Sequence, residues 1–128
     1  MTQPIAFLIE EDDDTRPIFK SVLEGQGFLV VSAVSEADAL QKTGDNGSRL
    51  KTDLIIVDFV GKSVEEMHAA GRRIRNQSQS ASPIVIVASV YGADLEGKDI
   101  NISGNDWVTY LEDGVQLFRL LKNLVTKG

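Results

Sequence analysis

The sequence predicts an α/β fold, a five-stranded parallel sheet with helices on both faces and a fourth helix that is short or distorted. Three observations predict it. Short apolar runs rich in β-branched and aromatic residues alternate with helical patterns. The runs are apolar almost without interruption, as strands covered on both faces are. The β-α alternation recurs five times with no linker, internal repeat or low-complexity tract. One domain over residues 1–128, with parallel strands and right-handed crossovers, is the arrangement that follows.

The strand runs cover residues 5–9, 28–32, 54–57 and 84–87, with a weaker one at 107–111. The first helix spans about 15–24, with Asp14 as N-cap, Pro17 tolerated in the first turn and Gly25 as the stop. A second opens at Ser35, where Asp38 three residues on makes a capping-box-like pair, and ends near Gly44 before a loop. The third covers roughly 63–77, with Val64, Met67, Gly71 and Ile74 repeating at helical spacing to face the sheet. The last runs from about 113 to 125. Residues 91–104 contain three glycines and little periodicity, so a turn near 93–98 is expected there rather than a full helix.

With 128 residues the chain can bury one continuous core. No apolar run approaches the ~20 residues that cross a bilayer, and the N-terminus lacks the basic region of a secretory signal. No cysteine is present, which excludes disulfides, thiolate metal sites and a cysteine nucleophile. A cytoplasmic location is expected, with no membrane partner. A net charge of −6 argues against nucleic acid, whose phosphates must be neutralised by Lys and Arg. Arg72, Arg73 and Arg75 read as a solvated helix face.

Ligands of parallel α/β sheets sit at the carboxyl ends of the strands. Five consecutive acids, residues 10–14, follow the first run, and Asp58 ends the third. If those strands are neighbours, Glu11, Asp12 and Asp58 converge on one pocket. Crowded carboxylates repel unless a cation compensates, and an oxygen-only cluster suits Mg²⁺. Taken singly, the acids before the helix are equally well N-caps, and Asp58 equally well a turn residue.

The strand-end pattern resembles the receiver domain of bacterial two-component response regulators, which has a flavodoxin-like (βα)5 fold, and the resemblance covers essentially the whole chain. FLIEEDDDTR is similar to the family's opening motif, LIIVDF to its third strand, PIVIVAS to its fourth with Pro83 leading, and GNDWVTYLED to its fifth. The resemblance implies that Glu11 and Asp12 are the metal-binding acid pair. It makes Asp58 the phosphoacceptor, with the Val60 carbonyl completing the Mg²⁺ shell, and places Trp107 at a switching aromatic. The expected partners are a histidine kinase or phosphotransfer protein, and a downstream protein or a second copy bound through the last helix.

The chain departs from the family pattern in three places. The switch Ser/Thr falls on Ala88, and Ser89 beside it points to the opposite face. The lysine after the fifth strand falls on Tyr110, which supplies at most one hydrogen bond. Glu11 stands where Asp is usual, and Lys62 is the one nearby replacement charge. Two functions therefore stay open: a phospho-switch at Asp58, and a receiver-like interaction module independent of phosphorylation. An independent hydrolase is disfavoured, because Val60 occupies the position of a second carboxylate and no Gly-rich phosphate loop follows the first strand. His68, the only histidine, reads as solvated beside Glu65 and Glu66. Val60 and Val90 would flank an acyl phosphate with apolar groups and slow its hydrolysis. On the last helix, Val115, Leu117, Phe118, Leu120, Leu121, Leu124 and Val125 cover more than one face needs, so Leu117, Leu120 and Leu124 are expected to include surplus apolar surface.

Overall fold

The computed structural model describes residues 3–44, 51–88 and 91–125. The elements follow as β1 (Ile5–Glu10), α1 (Thr15–Gly25), β2 (Leu29–Ala33), α2 (Glu36–Gly44), β3 (Leu54–Asp58), α3 (Val64–Ser78), β4 (Ile84–Ala88), β5 (Asp99–Ser103), β6 (Asp106–Tyr110) and α4 (Gly114–Val125). They form one sheet ordered β2-β1-β3-β4-β6-β5. The five predicted strands are all parallel to one another. The sixth, β5, runs antiparallel to β6 at the edge.

Period-two alternation explains how one continuous apolar run serves two cores. Phe7, Ile9, Ile55, Val57, Ile84 and Ile86 point to the side where α2 and α3 bring Ala39, Met67 and Ile74. Ala6, Leu8, Leu54, Ile56, Val85 and Val87 point to the other, under Leu23 of α1 and Leu117, Leu120 and Leu121 of α4. Gly71 lets α3 lie close on the sheet. A Cβ there would stand 3.0 Å from Ile84 Cγ2 and 3.4 Å from Val57 Cγ2.

The helix starts correct one reading and bear out another. Asp14 precedes α1 but makes no side-chain cap. The Asp12 carboxylate does this instead, accepting from the Thr15 backbone N–H at 2.8 Å and from the Thr15 hydroxyl. Ser35 Oγ accepts from Asp38 N as expected, while the Asp38 carboxylate reaches back one residue further, to Val34 N. The complete reciprocal box opens α3, where Ser63 and Glu66 each hold the other's backbone N–H.

Between β4 and β6, among the described residues, no helix forms. Residues 93–97 make turns, as expected, but the chain then returns as the strand β5. The hairpin turns at Gly104 (φ 52°), a left-handed position suited to glycine, and Asn101 Nδ2 ties it by donating to the Gly104 and Asp106 carbonyls. The sheet is thus six-stranded rather than five-stranded. Ser89, Val90 and part of the loop after Gly44 lie outside the described residues.

Three further readings are overturned. His68 is buried, and its Nε2 lies 2.8 Å from Asp106 Oδ2. Arg75 binds the same carboxylate at 2.7 and 3.1 Å, and Ile84 N donates to it at 3.1 Å. Arg75 is therefore not part of a solvated face, and Arg73 is ion-paired to Glu36. On α4, Leu117 and Leu120 are core residues, and the exposed apolar side chains are Val115 (64%) and Phe118 (44%). No helix among the described residues is long and apolar enough to cross a membrane.

Candidate functional site

The carboxyl ends of β1 and β3 are adjacent, as the pocket requires, and their register pairs Glu10 with Asp58. Glu10, the first of the five acids, is therefore the one that turns inward. Only 1% of it is exposed, and it shares a side-chain hydrogen bond with Asp58. Burial, and then that bond, push Glu10 up to about 9, so at neutral pH it is the protonated donor and Asp58 the acceptor. Glu10 Oε2 also accepts from Asp12 N at 3.1 Å. Its Oε1 is buried with no N–H or hydroxyl donor to it, which suits a carboxyl that carries its own proton.

Asp58 is half-buried. Burial raises its pKa, the Glu10 bond opposes this, and the charges of Asp12 and Glu11 add to the rise. Among the described residues no cation is among these influences. Lys62 acts instead on Glu36 and Glu66, so it does not stand in for a lysine at position 110.

The remaining expected groups are distributed around this pair. Glu11 Oε1 accepts from Val60 N at 2.7 Å, so it is the Val60 amide N–H that meets this acid. The Asp12 carboxylate is held by Thr15, which together with the Thr15 amide lowers its pKa. Ala88 ends β4, buried, in register with Tyr110 of β6. Tyr110 packs edge-on against Tyr91, ring centroids 5.5 Å apart, and the Tyr91 hydroxyl donates to the Leu111 carbonyl. Trp107 is not part of this group. It faces the opposite side of the sheet and packs with the α1 and α4 cluster.

The donors do not fit Mg²⁺ as arranged. Among the described residues no three His, Asp or Glu side chains form a group able to hold a metal ion. Glu11, Asp12 and Asp58 are each committed to a different protein hydrogen-bond partner. Chemically the site is a buried carboxylic acid donating to a carboxylate. Sequence reasoning missed Glu10 because it ends an apolar strand as one of five acids, and which of the five faces Asp58 depends on inter-strand register.

No protein-family model matches the chain, and no curated protein matches it. Solved structures do. A response regulator from Thermotoga maritima is 23% identical, with TM-score 0.70, covering 98% of this chain and all of that one. The Vibrio cholerae chemotaxis protein CheY4 is 19% identical, with TM-score 0.68, covering 96% and 99%. The receiver domain of sensor histidine kinase PA1611 from Pseudomonas aeruginosa is 17% identical, with TM-score 0.67, covering 98% and 100%, and holds a magnesium ion in its active-site cleft. These likenesses establish the fold: the chain has the CheY-like receiver architecture across nearly its whole length.

Proposed function

We propose that this chain is a receiver-type module of two-component signalling that works by protein–protein contact and does not depend on phosphorylation of Asp58. The observation that carries the reading is the Glu10–Asp58 carboxyl pair. An attacking carboxylate needs its lone pairs and a nearby positive charge to draw in a phosphoryl group. Here Asp58 accepts a hydrogen bond from Glu10, and its electrostatic neighbours are Asp12 and Glu11. A phosphoryl group would add about two negative charges to that cluster. Ala88 and Tyr110 offer neither the hydroxyl nor the ammonium that would reward a rearrangement, and a ligand shifts an equilibrium only by its differential contacts. The partners under this reading are a kinase or phosphotransfer protein that docks without transfer, or a downstream protein. The chain carries out no reaction of its own.

A second reading, a phosphoacceptor at Asp58 with Mg²⁺ as cofactor, is favoured by the position of Asp58 at the carboxyl end of β3 beside β1. One experiment separates the two. The protein is incubated with Mg²⁺ and acetyl phosphate or phosphoramidate, and its intact mass is compared with that of Asp58→Ala. The module reading expects no phosphoryl adduct in either. An adduct in the parent that is absent from the variant would replace it with the phospho-switch.

A further inference from the structure

The added strand β5 creates a concavity. It packs against β6 and contributes no side chain to the apolar cluster beneath α1 and α4. The sheet is therefore wider than α4 covers, and a groove of about 530 Å³ remains between β5, β6 and α4. That volume falls within the usual range for small-molecule sites.

Its lining is built rather than incidental. Gln116 is buried at 3% exposure. Its Nε2 donates to Asp99 Oδ1 at 2.8 Å and Thr109 Oγ1 at 3.1 Å, and its Oε1 accepts from Glu112 N at 2.7 Å. This one amide ties α4 to both strands of the hairpin and holds the groove open in one shape. Trp107 also lines the groove, and its indole Nε1–H is shut off from solvent without a hydrogen-bond partner. Buried N–H groups are normally paired, so an unpaired one beside a cavity marks a place for an acceptor. Arg119 on the rim forms no ion pair among the described residues, while Leu120 and Leu124 supply an apolar wall.

We propose that this groove is a binding site for a small organic monocarboxylate. The Arg119 guanidinium and the Trp107 N–H take its carboxylate, and Leu120 and Leu124 take its apolar body. The indole N–H is shut off from solvent, so the carboxylate reaches it only when the groove's rim, where Arg119 and Asn123 are exposed, opens. Asp99 lines the same groove and opposes a second negative charge, which is why the ligand class is a monocarboxylate. The site lies on the opposite face of the sheet from Tyr110 and is independent of any chemistry at Asp58.

The chain has one tryptophan, so its indole N–H gives a single resolved signal in a ¹⁵N–¹H correlation spectrum of the full chain. Benzoate is the probe, benzamide the neutral isostere, and sodium chloride the ionic-strength control. The expected result is saturable movement of the indole signal with benzoate, in the millimolar range. Arg119→Gln should weaken binding by about fivefold or more, and benzamide should bind more weakly by a similar factor. No saturable movement up to about 50 mM benzoate, a range that covers ligands worth only a few kcal/mol, would overturn the proposal. So would equal affinity for benzamide, or an unchanged response in Arg119→Gln with the rest of its spectrum intact.

Discussion

Glu10 and Asp58 are register partners at the carboxyl ends of two neighbouring parallel strands, and the buried acid of one donates a hydrogen bond to the carboxylate of the other. Two carboxyl groups so close do not both ionise at neutral pH. One keeps its proton.

Stability should therefore fall as pH rises. Glu10 has a folded-state value of about 9 against an ordinary value of 4.5, so between those limits the folded state holds a proton that the unfolded chain releases. The unfolding free energy should decline across that window with a slope of up to about 1.4 kcal/mol per pH unit. Glu10→Gln keeps a donor to Asp58 and removes the titration. Its urea midpoint should exceed the parent's at pH 8 and approach it near pH 4.5. Parallel pH profiles for the two proteins would show that the shared proton does not exist.

On the acid side the sign reverses. Burial tends to raise Asp106, but the bonds from Arg75 and His68 outweigh it and leave the carboxyl below its ordinary 3.8. Its contribution is present above that value and is lost as pH falls through the lower, folded one. Asp106→Ala leaves the half-buried Arg75 and the Ile84 N–H without their acceptor. The expected cost is about 3–5 kcal/mol in urea unfolding at pH 7. A loss below about 1 kcal/mol, the worth of an exposed pair, would mean the cluster is solvated.

Gly71→Ala sets two effects against each other. Alanine gains about 0.5–1 kcal/mol in a helix interior, while the new methyl would sit 3.0 Å from Ile84 Cγ2. Overpacking typically costs about 1–3 kcal/mol, so the substitution should destabilise by about 1 kcal/mol net. A variant more stable than the parent would show that α3 can shift away from the sheet without loss.

The two faces of α4 should behave differently. Leu117, 1% exposed, should cost about 2–5 kcal/mol on truncation to alanine. Val115→Ser and Phe118→Ser, at exposed positions, should change stability by no more than about 0.5 kcal/mol. If these two side chains form the contact with a partner or a second copy, the same substitutions lower self-association in sedimentation velocity or retention of a partner. An unfolding penalty comparable to that of Leu117→Ala would place them in the fold instead.

The residues determined much of this by themselves, because the signals are local. Five apolar runs, their parallel pairing, the span of each helix and the position of Asp58 at a strand end all follow from periodicity and turn chemistry within a few residues of each element. Tertiary structure decided the rest, wherever the partner lies far along the chain. Which of five consecutive acids meets Asp58 depends on the pairing of Ala6 with Leu54, and a slip of one residue would have exchanged Glu10 for a neighbour. His68 is buried because Asp106, 38 residues away, stands beside it, and no local pattern announces that. The β5–β6 hairpin has weak strand periodicity of its own and exists because β6 offers an open edge for residues 99–103 to pair with. Local chemistry specifies elements; side-chain company is a property of register and packing.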